Sequence, residues 1–225
     1  MEVTNSSPIK GLQIIRKANI WTIIAVAIAA IGGIIIAVAQ STNGNWAQYL
    51  QQLKNDNNVV TLAIIASGAI LGIVSVILIL ISRVTEIIGL VKLSKINTGY
   101  KTALILILSS LVLSGGGYLL LNGAIAKAAM QVLNLLFVAS VYFIISATVE
   151  FLRDHGNDEL VAKGLSVRRL YVGCNVAAVA AGLLALLPAL TLVAGIASLV
   201  MSVLQFVAIF KYIGFLGHSI TALES

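Results

Sequence analysis

Charge is what this sequence has least of. Asp, Glu, Lys and Arg make up 10% of its 225 residues while 60% are hydrophobic, against about 25% charged in an ordinary soluble domain. So little charge excludes a water-soluble globular domain of this length, because nothing would solvate so apolar a surface. Proline is almost missing as well. Two occur, and only Pro188 falls near an apolar run, which argues against the proline-broken half-helices of some transporters. The single cysteine, Cys174, cannot form an internal disulfide and is read as a small apolar side chain.

Catalytic chemistry is missing too. There are two histidines, His155 and His218, and neither has partners at metal-ligand spacing; the Asp154 and Asp158 carboxylates near His155 are read as a solvated loop. No histidine falls in an apolar run to activate a serine or the cysteine. The chain has no intramembrane aspartate pair, no H-E-x-x-H and no phosphate-binding glycine loop. These absences argue against an enzyme, a metal site and a bound cofactor.

What is present is six long apolar stretches, at about 18–39, 59–81, 102–121, 128–149, 170–187 and 190–212. Their interiors carry no Asp, Glu, Lys or Arg until Lys211 near the end of the last. One charge at a helix centre costs about 2.5–3.5 kcal/mol on insertion scales, so such interiors favour insertion. Each stretch is expected to be helical, since lipid offers backbone groups no other partner. The expected fold is therefore a single all-α domain, a polytopic transmembrane bundle of six spans arranged as three hairpins, with short cytoplasmic interfacial helices.

Lysine and arginine set the expected orientation. Lys10, Arg16, Lys17, Arg83, Lys92, Lys95, Lys101, Arg153, Lys163, Arg168, Arg169 and Lys211 fall on one side, leaving Lys54 and Lys127 on the other. Positive residues favour the cytoplasm. Both termini are accordingly expected inside, in a plasma membrane, and the net charge of +6 is explained without nucleic acid. A basic leader before the first run and the Ala37-Val38-Ala39 triplet resemble a signal peptide with its cleavage site. The run exceeds the usual h-region, so a retained span is preferred.

The polar segments suggest further detail. Ser82 to Gly99 has Val84, Ile87, Ile88 and Val91 at helical spacing, which suggests a span continuing inward or bending along the interface. Gly156 is a candidate helix stop, and Asn157 a candidate cap for a short helix with a Glu159–Lys163 pair. Ser166 then caps the fifth span. On the other side, Trp46 to Lys54 suggests a short helix capped by Asn45, with Trp46 and Tyr49 at headgroup level. Pro188 marks a tight turn. Ser75-Val76, Ser140-Val141 and Ser202-Val203 sit in the second helix of each hairpin and suggest a degenerate threefold repeat.

Small residues recur at every fourth position: Ala25, Ala29, Gly33 and Ala37; Gly68 and Gly72; Gly173, Ala177, Ala181, Ala185 and Ala189; Ala194, Ser198 and Ser202. They allow close helix packing in lipid, within one bundle or between copies. Gly115, Gly116 and Gly117 are read as a close crossing or a hinge. Four neutral amides stand alone inside apolar runs: Gln131, Asn134, Asn175 and Gln205. They suit either hydrogen bonds that hold helices together or a polar path for a solute. Glu150 and Lys211 are a candidate ion pair.

Two functions follow as expectations, the first preferred and the second its alternative. One is a non-enzymatic accessory, organising or regulatory membrane protein that acts by association with a protein partner or its own copies. Its basic inner helices would also meet anionic lipid headgroups. The other is a small channel or transporter whose path passes the four amides.

Overall fold

The computed structural model describes residues 6–41, 59–120 and 123–224. Among these residues the chain is helical throughout, with no strand: α1 (Ser6–Ser41), α2 (Val59–Leu93), α3 (Thr98–Leu120), α4 (Gly123–Asp154), α5 (Asp158–Leu184) and α6 (Thr191–Glu224), with a 3-10 turn at Pro188–Leu190. Five of these contain stretches long and apolar enough to cross a membrane: Pro8–Ala37, Ile65–Leu93, Ala128–Asp154, Asp158–Leu184 and Leu192–Glu224. In α3 the apolar stretch at Thr98–Ser114 is shorter.

The scarcity of proline explains the lengths. Pro8 stands in the first turn of α1, where the N–H it lacks has no helical partner to lose, and Pro188 stands in the turn before α6. No proline interrupts an interior, and α1 runs for 36 residues, about 54 Å at 1.5 Å per residue. Such helices outreach a hydrocarbon core of about 30 Å.

That reach corrects one expectation. The segment after Ser82 prolongs the second apolar helix to Leu93, as the reading of a span continuing inward expects, whereas the segment after Asn157 is no separate short interfacial helix and runs straight on into the next apolar stretch. α2 carries Arg83, Glu86 and Lys92 without a break. Asn157 does cap a helix, its side chain accepting from Leu160 N, but that helix continues to Leu184. Ser166 lies in its interior and caps nothing. The reason is a single buried face, formed by Val161, Gly164, Val167, Tyr171 and Cys174 at helical spacing, which crosses the supposed junction without a phase change.

The turns have local causes. Gly156 holds φ +71, a left-handed conformation that glycine adopts without steric cost. Its N–H donates to Arg153 O and that of Asn157 to Leu152 O, a Schellman closure of α4. Between α2 and α3, Asn97 Oδ1 accepts from Gly99 N at 2.7 Å and caps α3. The proposed helix at Trp46–Lys54, with Asn45, Trp46 and Tyr49, lies outside the described residues. α3 stays helical through Gly115, Gly116 and Gly117; whether another helix crosses there also lies outside them.

Two compact units divide the chain, one of Met1–Arg16 with Ile87–Ser225, the other of Lys17–Glu86. The first contains the main core. Leu12 and Ile15 of α1, Leu90 and Leu93 of α2, Tyr100 and Ile107 of α3, Ile144, Ile145 and Leu152 of α4, and Tyr212, Phe215 and Leu216 of α6 are all buried in it. Glycine makes room: a Cβ on Gly164 would collide with Val149 and Phe215, and one on Gly89 would lie 2.7 Å from Ile15 Cγ1. The buried Tyr100 hydroxyl pairs with Thr148 Oγ1 at 2.9 Å. The first turns of α1 meet the last turns of α6. Gln13 Nε2 donates to Glu224 Oε1 at 3.0 Å, and the Arg16 guanidinium lies over Gly217.

The second unit is a helical pair. A Cβ on Gly32 would lie 3.0 Å from Gly68 O, and one on Gly68 would lie 2.7 Å from Ile36 Cγ1, whereas nothing comes within 4 Å of a Cβ on Gly33 or Gly72. The close crossing therefore uses Gly32 and Gly68. Further along, Thr22 Oγ1 and Ser82 Oγ share a hydrogen bond of 2.6 Å, and Ser82 donates to Ala18 O at 2.7 Å. Glu86, 2% exposed, pairs with Arg83 at 2.8 Å.

Candidate functional site

All four isolated amides belong to the first unit, and they line one cavity of about 330 Å³. α4 contributes Gln131, Asn134, Phe137 and Val138; α5 contributes Asn175, Ala178, Val179 and Gly182; α6 contributes Ser198, Ser202 and Gln205. Spacing explains why each helix offers a strip. Positions 131, 134 and 138, then 175, 179 and 182, then 198, 202 and 205 each step by three or four residues, so each set lies on one helical face.

The cavity sits in the half of these helices that ends at the Pro188 turn. Asn175 is nine residues from the end of α5 at Leu184, about 14 Å along the axis. All eleven lining residues fall on helices that carry candidate spans, and none of them is ionisable. Gln131, Asn175 and Gln205 are half-buried and Asn134 is exposed; a polar donor or acceptor shut away unmatched from water would cost about 1–3 kcal/mol.

Hydrogen bonds orient part of the lining. Asn175 Nδ2 donates to Tyr171 O at 2.8 Å. A backbone carbonyl only accepts, so this contact settles which end of the Asn175 amide is nitrogen. Its Oδ1 then accepts from Gln205 Nε2 at 2.9 Å, joining α5 to α6 and leaving Gln205 Oε1 as an acceptor. Ser202 Oγ donates to Ser198 O at 2.8 Å. Gln131 is held by shape instead: its carboxamide lies over Gly182, where a Cβ would come 2.7 Å from Nε2. Among the described residues the amides of Gln131 and Asn134 have no protein hydrogen bond. Two of the four isolated amides therefore bond across helices, and two line the cavity without a hydrogen-bond partner among the described residues.

Other candidate groups lie apart from this site. Glu150 accepts from Asn97 Nδ2 at 2.9 Å and, among the described residues, forms no ion pair with Lys211. Among the described residues Glu159 and Lys163 form no ion pair, whereas Arg83 and Glu86 do. His155 and His218 each bond through Nδ1 to a carbonyl one turn back, Phe151 O at 2.8 Å and Gly214 O at 2.7 Å. Cys174 is buried. Among the described residues no three of His, Cys, Asp and Glu come together. Arg168 donates to Ser146 Oγ at 3.0 Å and stands 4.9 Å from the Tyr142 ring centre, fastening α5 to α4 by a hydrogen bond and a cation–π contact.

Gly182, Ser198 and Ser202 were not singled out from sequence as solute-facing residues. The signal was their shared three-and-four spacing with Asn175 and Gln205, which small-residue packing equally explains. No family model, curated protein or solved structure matches this chain.

Proposed function

We propose that this chain is a multi-pass membrane protein that binds a small polar solute in the α4–α5–α6 cavity and passes it across the membrane, as a channel or a carrier. The observation that carries this reading is the convergence of four amides from three helices on one cavity inside otherwise apolar segments. Bundle cohesion accounts for the Asn175–Gln205 bond but leaves the amides of Gln131 and Asn134 unexplained. Water or a solute satisfies them.

The topology we propose is six crossings, with α3 as the third. At 23 residues it reaches about 35 Å. The contact of Gln13 with Glu224 supports an even number of crossings, because it brings the start of α1 and the end of α6 to one side. The bias of Lys and Arg assigns that side to the cytoplasm, in the cell membrane. The cavity then lies in the outer half, and the basic helix ends lie near anionic headgroups.

The test is flux and labelling on reconstituted full-length protein. With Cys174→Ala as background, Ser202→Cys and Gln205→Cys should react with a membrane-impermeant thiol reagent added from outside, while Ile144→Cys in the core should not. Solute entry that Gln205→Leu or Asn134→Leu abolishes is the expected companion result. If neither cavity cysteine reacts and no solute in a broad panel moves, the proposal fails.

A further inference from the structure

Resting on that reading of the cavity, we infer that the solute is uncharged and carries both hydrogen-bond donors and acceptors, as small polyols and urea do, and that the cavity discriminates against ions. The lining argues this group by group. It holds no side chain able to offset a net charge, and an uncompensated charge in a low-dielectric site costs far more than an unmatched dipole. Gln131 and Asn134 each offer a carbonyl acceptor and an NH₂ donor from the same planar group. A cation would meet amide nitrogens as readily as oxygens, and an anion would meet oxygens as readily as nitrogens.

Cation coordination by carbonyls requires several oxygens turned inward together. Here the one amide oxygen fixed by its surroundings, Asn175 Oδ1, is already taken by Gln205 Nε2. That same bond leaves Gln205 with a carbonyl and one N–H still available, a paired donor and acceptor like the other two. Three such pairs, two on α4 and one on α6, match a solute whose own groups alternate, and they do so without charge. The volume, about 330 Å³, lies at the small end of ligand sites and suits a compact solute. Gly182 tunes the fit, since only a residue without Cβ leaves the Gln131 amide where it lies.

The experiment uses purified full-length protein in phosphatidylcholine–phosphatidylglycerol vesicles. Light scattering after an osmotic step follows entry of glycerol and urea; dye reporters follow K⁺, Na⁺ and Cl⁻ in the same preparation. Glycerol or urea should enter well above the protein-free rate while the ions stay at background. Gln131→Leu should return entry to background. It is the preferred variant because, among the described residues, the Gln131 amide makes no protein hydrogen bond whose loss would unfold the bundle, and an unchanged size-exclusion profile checks this. Gly182→Ala should slow glycerol more than urea. Ion flux without neutral-solute flux, abolished by Gln131→Leu, would overturn this inference and leave the solute path standing. Neutral flux indifferent to Gln131→Leu would overturn it as well, by removing the cavity from the path. No flux of any of these species, with the cavity cysteines unreactive, overturns both readings.

Discussion

α4, α5 and α6 are packed in opposite ways at their two ends. Toward the charged ends, Ile144, Ile145, Leu152, Val167, Tyr171, Tyr212, Phe215 and Leu216 close into a core. Toward the Pro188 turn the same helices face each other with Gln131, Asn134, Asn175, Gly182, Ser198, Ser202 and Gln205 and leave a cavity. The change takes one turn of α5. Tyr171 is a core residue whose ring lies 5.8 Å from that of Tyr212, and Asn175, bonded to the Tyr171 carbonyl, is in the lining. Helices in lipid gain little from hiding apolar surface from one another, because lipid is as apolar as they are; close packing and hydrogen bonds hold them together. Side-chain size and shape at each level thus decide whether the bundle closes. Large branched and aromatic groups fill one end, while amides and small residues do not fill the other.

The sharpest way to test that contrast is to empty the closed end. Phe215→Ala should cost about 3–5 kcal/mol, the usual range for removing a buried aromatic ring, read as a large fall in thermal unfolding temperature in detergent. Overfilling comes next. Gly164→Ala brings a methyl group against Val149 and Phe215 and should cost about 1–3 kcal/mol, whereas the same change at Gly173, where a Cβ meets nothing within 4 Å, should leave stability nearly unchanged. At the open end, Asn175→Leu removes the bonds to Tyr171 O and Gln205. A loss of about 1–2 kcal/mol is expected, since interhelical hydrogen bonds in membranes are individually modest. If Asn175→Leu proves as damaging as Phe215→Ala, the two ends are not energetically distinct.

Most of the helical frame was legible in the sequence, for a physical reason: uncharged runs of this length have few stable alternatives to helix. The turn at Gly156 and Asn157 was legible as well, because a left-handed position and an N-cap each demand a short list of residues. The length of the helices was harder to read. Arg168 and Arg169 look like a break between a loop and a span, yet the buried face from Val161 to Cys174 passes them in phase, and Arg168 is absorbed by Ser146 and Tyr142. Pairings between distant residues were not legible. In the sequence only Lys211 stood out as a partner for Glu150, and Asn97 is its partner because the turn before α3 brings it within reach. The four amides stood out because each is alone in an apolar run. Their convergence depends on the rotation of three helices about their own axes, which spacing along any one helix does not set.

The smallest expected effect on stability separates a hydrated cavity from an empty one. Gln131 makes no hydrogen bond among the described residues, and its amide lies over Gly182 in the cavity lining. If water or solute satisfies that amide, Gln131→Leu exchanges a solvated polar group for an apolar one of similar size. Stability should then change by no more than about 0.5 kcal/mol, as at a surface position. If the cavity is dry, the wild-type amide stands unmatched, and replacing it with leucine should stabilise the protein by about 1–3 kcal/mol. Thermal unfolding of wild type and Gln131→Leu, side by side in detergent and in nanodiscs, distinguishes the two. A marked gain in stability would remove the solvated path and return all four amides to helix packing. An unchanged midpoint together with lost solute entry would tie the amide to function and leave the fold to the closed end of the bundle.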